Sequence, residues 1–98
     1  MEKEGVRAAR LVHIYAVLLA LREAGGELPT TELIEKSGIV AATYYGTVRK
    51  ALLELELIEE VVERQARIKL VRITDKGRKL LECLENIVGD KIPNSKFS

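Results

Sequence analysis

The sequence predicts a mostly helical α+β domain with a small β-hairpin, in the order α-(β)-α-α-β-β-α. Three observations predict it. A short helix, Thr31–Lys36, and a long amphipathic one, Ala41–Leu55, flank the tight turn Ser37-Gly38-Ile39-Val40. Two β-branched runs, Glu59–Glu63 and Ile68–Ile73, follow with Arg64-Gln65-Ala66-Arg67 between them. Thr74-Asp75-Lys76-Gly77 then opens a capped final helix, expected from Asp75 to about Val88. A chain of 98 residues buries about two-thirds of its unfolded surface, enough for one core and not two. One domain is therefore expected over residues 1–88. Gly89 to Ser98 lacks periodicity and carries Pro93, Asn94 and Ser95, so residues 89–98 read as a flexible tail.

The first helix is predicted from about Val6 to Ala24, stopped by Gly25-Gly26, where a left-handed cap is easy. Between Leu11 and Leu21 the one clearly polar side chain is His13, so this helix is apolar nearly all round. Such a helix requires cover on several sides. The other helices can cover about half of it, and a second copy of the chain is the simplest cover for the rest. Leu11, Ile14 and Leu18 are accordingly expected in a homodimer interface. His13 has no Cys, Asp or Glu at metal spacing beside it and reads as a solvated or interface-edge histidine. Arg7 and Arg10 before the apolar run imitate a signal peptide, but Glu2, Glu4, His13 and Arg22-Glu23 argue against one. The run is also too short to span a bilayer. Cys83 is alone, which excludes an intrachain disulfide framework. A cytoplasmic protein without a membrane partner is expected.

Leu28-Pro29 is an extended step. Thr30 or Thr31 is then expected to cap the second helix, whose N-terminal amides, with Thr31, suit a backbone phosphate. A plain capped helix is the alternative. On the long helix, at 100° per residue, Ala41, Tyr44, Tyr45, Leu52 and Leu55 fall within about 60° of Val48 and form the inward stripe. Ala42, Thr43, Gly46, Thr47, Arg49 and Lys50 lie opposite, and the helix carries no acid from Ile39 to Leu53. Gly46 costs this helix about 1 kcal/mol relative to Ala but permits close approach of a DNA backbone or base edge. Thr43 and Thr47 can meet bases or phosphates, and Arg49 and Lys50 suit guanine edges or phosphates. Of the two tyrosines on the stripe's shoulders, Tyr44 is expected to point its hydroxyl toward DNA, since it lies on the side of Thr47. Ordinary solvated charges are the bland alternative for this face.

The hairpin tip lacks Asn-Gly or Gly-Gly, so a four-residue loop is expected. Alternation slips at Leu70-Val71, which predicts a bulge or a change of face. Formal charge is only +1, but it is unevenly spread. Arg64, Arg67, Lys69, Arg72, Lys76, Arg78 and Lys79 face one acid, Asp75, while Glu54, Glu56, Glu59, Glu60 and Glu63 form an acidic run just upstream. Arg64, Gln65, Arg67 and Lys69 stand where a hairpin tip meets phosphate or the minor groove. On the last helix Leu80, Leu84 and Ile87 share a line, with Leu81 and Val88 to one side and Cys83 to the other. That stripe spans roughly 160°, wide enough to serve the domain core and a partner helix together. Leu81, Cys83, Leu84 and Ile87 join the expected dimer interface, with Cys83 a small buried hydrophobe. A symmetric Cys83 disulfide between two copies is the alternative.

Ala51-Leu52-Leu53-Glu54-Leu55-Glu56-Leu57-Ile58-Glu59 resembles the end of the recognition helix in winged helix-turn-helix proteins, which often read Leu-x-x-Leu-Gly-Leu-Ile here. Glu56 replaces the usual glycine. Ile73-Thr74-Asp75-Lys76-Gly77 resembles the family's Leu-Thr-x-x-Gly, with Thr74 as N-cap. The resemblance covers residues 10–88. It is strongest to archaeal and bacterial regulators of the multiple-antibiotic-resistance and phenolic-acid-decarboxylase regulator type, and to small regulators of crenarchaea and their viruses. It implies a homodimeric transcription regulator that binds double-stranded DNA with sequence preference. Helix 41–55 would enter the major groove, and the wing, 59–73, would meet phosphate or the minor groove. Many members carry a short strand near Leu28-Pro29 that pairs with the wing. Scarce amides (Gln65, Asn86, Asn94) amid abundant Lys, Arg and Glu hint at a thermophilic source. One His, one Cys, no phosphate-binding glycine loop and no zinc spacing leave no catalytic set and no metal or cofactor to nominate. The rival reading, drawn from the low net charge, is a winged helix used for protein–protein contact in a larger assembly. The sequence neither implies nor excludes a small-molecule effector.

Overall fold

In the computed structural model, which describes residues 9–91, Arg10 is extended and its carbonyl accepts from the His13 and Ile14 amides. Helix α1 therefore begins at Leu11 and runs Leu11–Glu23. Of its expected earlier start, residues 6–8 lie outside the described residues, and Ala9 and Arg10 are not helical. Gly25 (φ 92°) and Gly26 (φ 114°) end α1, with the Gly26 amide donating to Leu21 O at 2.8 Å. Strand β1 (Glu27–Pro29) leads directly into α2 (Thr30–Ser37). Neither threonine caps α2. Pro29 holds the N-cap position in extended geometry and carries the chain in from β1, which sets Thr30 inside the first turn, buried, with its hydroxyl toward Lys69 O at 3.4 Å.

Gly38 closes α2 with φ 77°, and the Ser37 hydroxyl bridges Ile34 O and the Ile39 amide across the turn. The long helix, α3, is continuous but mixed: Ala41–Thr43 is α-helical, Tyr44–Val48 π-helical and Arg49–Glu54 α-helical again. It ends in a Schellman arrangement, with Leu57 N donating to Leu52 O at 2.9 Å and Glu56 N to Leu53 O at 3.0 Å. Glu56 occupies the left-handed position at φ 61°, so it takes up the geometry glycine normally supplies, at about 1 kcal/mol of strain.

The hairpin comprises β2 (Ile58–Glu63) and β3 (Ile68–Ile73), and α4 (Asp75–Lys91) follows. The antiparallel sheet has the order β1-β3-β2, with β3 central. Its register runs unbroken from Ile58 opposite Ile73 to Glu63 opposite Ile68, so the expected bulge is absent. Leu70 departs from the alternation as a half-buried apolar residue on the outer face of the sheet. Val71 faces the core, and Leu70 lies between Val61 and Pro29 on the other side. Thr74 caps α4, accepting from the Gly77 amide at 3.0 Å while donating to Glu56 O at 2.7 Å. Gly89 does not break α4, which continues through Lys91, so residues 89–91 of the expected tail are helical. Residues 92–98 lie outside the described residues.

The core joins Val17, Leu18 and Leu21 of α1 to Leu33 of α2, Tyr44, Val48 and Leu52 of α3, Val71 of β3 and Leu81 of α4. At roughly 2–5 kcal/mol for each such leucine truncated to alanine, this one cluster dominates stability. Among the described residues no helix is long and apolar enough to cross a membrane.

Candidate nucleic-acid interface

Because α3 turns the line Tyr44, Val48, Leu52 (steps of four) into the core, the line Ala42, Gly46, Lys50 faces outward. Thr43 and Thr47 flank that line half-buried, and the Thr47 hydroxyl rests on Thr43 O at 3.3 Å. Ala41, expected inside, is exposed, and Leu55 is only half-buried. A Cβ at Gly46 would meet nothing within 4 Å. The π-helical stretch Tyr44–Val48 lies under this face. Such insertions widen a helix and occur frequently at functional sites.

The tyrosines are placed the other way round from the sequence expectation. Tyr44 is fully buried, since it sits on the Val48–Leu52 line, and cannot touch DNA. Tyr45 is 47% exposed and packs edge-to-face on Tyr44, with ring centroids 5.3 Å apart. The Tyr44 hydroxyl finds no hydrogen-bond partner among the described residues. Burial pushes its pKa up to about 12, with the Glu60 carboxylate adding to the effect. Tyr45 is thus the tyrosine on the outer side, which the sequence expectation had placed inside; its position off the four-residue line was the available signal.

Arg49 also needs correction. Its guanidinium forms a two-pronged pair with Glu60 of β2, Nε to Oε2 at 2.7 Å and Nη2 to Oε1 at 2.8 Å, so it is folded toward the wing and away from open solvent. Lys69 Nζ stands 3.7 Å from the same carboxylate. Accepting from Arg49 holds the Glu60 carboxyl below the ordinary carboxylate range and raises the Arg49 pKa in turn.

The wing tip is different. Arg64, Gln65, Ala66 and Arg67 are all exposed in the four-residue loop, which Arg67 closes at φ 56° with its amide on Glu63 O at 2.7 Å. The Glu63 carboxylate is turned back onto the Ala66 amide at 2.8 Å. Among the described residues no carboxylate lies within 4 Å of Arg64 or Arg67. Thr31 is exposed and meets Tyr45, Ile68 and Lys69 around a shallow groove between α2, α3 and β3. Ala42, Gly46 and Lys50 are thus exposed on α3 with Thr43 and Thr47 half-buried beside them, Thr31 meets Tyr45 across the groove, and Tyr44 and Arg49 are turned inward.

Of the residues expected between two copies, Ile14, Leu18 and Leu81 belong to the core, because α1 is covered by α2, α4 and the sheet on more sides than expected. Leu11 (58% exposed) and Ile87 (52%) remain outside, and Leu84 is half-buried. Cys83 is exposed, contrary to its expected burial, because it lies off the Leu81 side of α4 that meets the core. Leu11, Val12, Tyr15 and Leu84 line a shallow apolar groove between α1 and α4. The two helices are also clamped by Arg22 on Glu85, both contacts at 2.6 Å.

The family model of the ArnR1-like winged-helix domain matches residues 3–90. Among solved structures, F93 from STIV, a winged-helix DNA-binding protein, superposes with a TM-score of 0.73 at 20% identity, over 83% of this chain and 91% of that one. Bordetella bronchiseptica BpsR, whose DNA binding is regulated by 6-hydroxynicotinic acid, gives 0.67 at 26% identity, over 88% of this chain and 64% of its own. Sso10a-2, a DNA-binding protein from Sulfolobus solfataricus, gives 0.64 at 19% identity, over 85% and 82%. No curated protein sequence matches significantly.

Proposed function

The chain belongs to the ArnR1-like winged-helix domain family, and from that premise we propose that it binds double-stranded DNA with sequence preference as a homodimeric transcription regulator. The observation that carries this reading is the acid-free outer face of α3, with Gly46 in open space, beside two wing-tip arginines without carboxylate partners among the described residues. The DNA-binding character of F93, BpsR and Sso10a-2 supports it. Helix α3 enters the major groove, where Thr43, Thr47 and Lys50 reach base edges or phosphates. Arg64 and Arg67 meet phosphates or the minor groove. Leu11, Val12, Tyr15, Leu84 and Ile87 join two copies, which sets the two α3 helices about 34 Å apart on successive major grooves. The net charge of +1 favours one rival, a protein–protein module in a larger assembly.

A mobility shift on DNA upstream of the protein's own gene, against mixed-sequence competitor, tests the reading. A preferred complex is expected, and light scattering is expected to return twice the 10.9 kDa chain mass. Thr47→Ala should lose about 1–3 kcal/mol of preference. Arg64→Ala with Arg67→Ala should weaken all duplexes alike and flatten log affinity against log salt by about 0.9 per lost phosphate contact. If no duplex binds at low salt, the protein-interaction reading takes first place.

A further inference from the structure

We propose that Glu60 is a specificity-determining residue that withholds the charges of Arg49 and Lys69 from indiscriminate phosphate contact. The inference rests on the DNA-binding reading above and concerns how that site discriminates. Glu60 stands on β2 opposite Val71, on the side of the hairpin that faces α3. Its side chain is only 15% exposed, while Arg49 and Lys69 retain 29% and 45%. A carboxylate set this deep between two cations of a proposed anion-binding surface works against affinity. Without it Arg49 and Lys69 offer two positive charges; with it the trio offers one.

Arg49 immediately precedes Lys50, the last residue of the outward line Ala42, Gly46, Lys50, so a modest swing of its side chain would bring it to a phosphate or base edge. The two-pronged pairing with Glu60 restrains that swing. It is also the one ion pair among the described residues that ties α3 to the hairpin, so it fixes the angle between the reading helix and the wing. Phosphate contacts add affinity on every duplex and carry no sequence information. Withholding one net positive charge from the mixed-sequence encounter lowers background binding without touching the threonines proposed to read bases. The ratio of preferred to random binding rises.

The test uses the full chain, a preferred duplex and a mixed-sequence duplex, between about 50 and 200 mM salt. Glu60→Gln keeps the side-chain shape and removes the charge. Its affinity for the mixed duplex is expected to rise several-fold, its salt slope to steepen by about 0.9 for the one charge released, and its preference ratio to fall. Glu60→Asp, which keeps the charge, should retain the parent slope. Arg49→Ala alone should leave the mixed-duplex slope unchanged, but in the Glu60→Gln background it should remove about 0.9 of it. A residue that merely supported the fold would weaken both duplexes together. The proposal is overturned if Glu60→Gln weakens both, if its slope equals the parent's, or if Glu60→Asp steepens the slope equally. A parent that binds no duplex overturns the DNA reading itself, whereas a salt-sensitive parent with an unaltered Glu60→Gln slope overturns this inference alone.

Discussion

Gly46 and Gly77 both sit inside helices, yet their surroundings have nothing in common. A Cβ at Gly77 would collide with Leu57 O and lie 2.9 Å from Ile73 Cγ1. A Cβ at Gly46 would meet open space. The start of α4 is where the exit of α3 and the return of the hairpin converge: Leu57 O accepts from the Thr74 amide at 3.1 Å, and Thr74 donates to Glu56 O. Gly77 is small because another backbone passes through the place of its side chain. Gly46 answers to no neighbour in the domain, and it lowers helix stability by about 1 kcal/mol. The fold accounts for one glycine and not for the other, whose open space the proposed duplex would use.

Two substitutions break or sharpen that contrast. Gly77→Ala has the largest expected effect, a loss of about 3 kcal/mol of stability, because the obstructing atoms are backbone and cannot rotate away. Denaturant unfolding measures it; an unaltered midpoint would mean that α4 can shift freely against Leu57. Gly46→Ala is expected to do the opposite to the free protein, raising its stability by about 1 kcal/mol. Its affinity for the preferred duplex should nevertheless fall roughly tenfold, the scale of one lost base contact. Stabilisation with full DNA affinity would show that the open space at Gly46 is simply unused.

How much of this was legible in the sequence depended on which distances were local. Thr74 and Gly77 were readable as a cap because the hydroxyl and its amide are three residues apart. The wing loop and its four residues followed from the absence of a primed-turn pair. The pairing of Arg49 with Glu60 was not readable, since it depends on how β2 passes α3. Counting Arg49 among the free cations treated charge as a property of the residue, when its neighbour decides it. Cys83 and Leu81 illustrate the same limit on α4. A wide apolar stripe says that two sides are buried or shared, but only packing against α1 and the sheet decides which. The π-helical stretch left no mark in a pattern read at a uniform 100° per residue. Glu56 shows a departure from the family pattern that changed little, since the backbone takes the left-handed position regardless.

The smallest effect concerns the tyrosine pair, where the contrast between fold and interface recurs within two adjacent residues. Tyr44 hides its hydroxyl without a hydrogen bond among the described residues, and Tyr45, packed edge-to-face on it, is exposed beside Thr31 and Lys69. A buried unpartnered hydroxyl contributes nothing that a hydrogen atom would not, so Tyr44→Phe is expected to be neutral or stabilising by about 1 kcal/mol. It should leave DNA affinity intact, whereas Tyr45→Ala should reduce it. Alkaline unfolding adds an independent check. The Tyr44 pKa is raised from 10.0 to about 12 by burial, so above pH 10 the unfolded chain loses this proton while the folded chain keeps it. Stability from this group is therefore complete below pH 10 and is lost as pH rises toward 12. The difference in unfolding free energy between Tyr44→Phe and parent should widen across that interval in favour of the variant. A constant difference would place the hydroxyl in contact with solvent, and a loss of DNA binding by folded Tyr44→Phe would return Tyr44 to the interface.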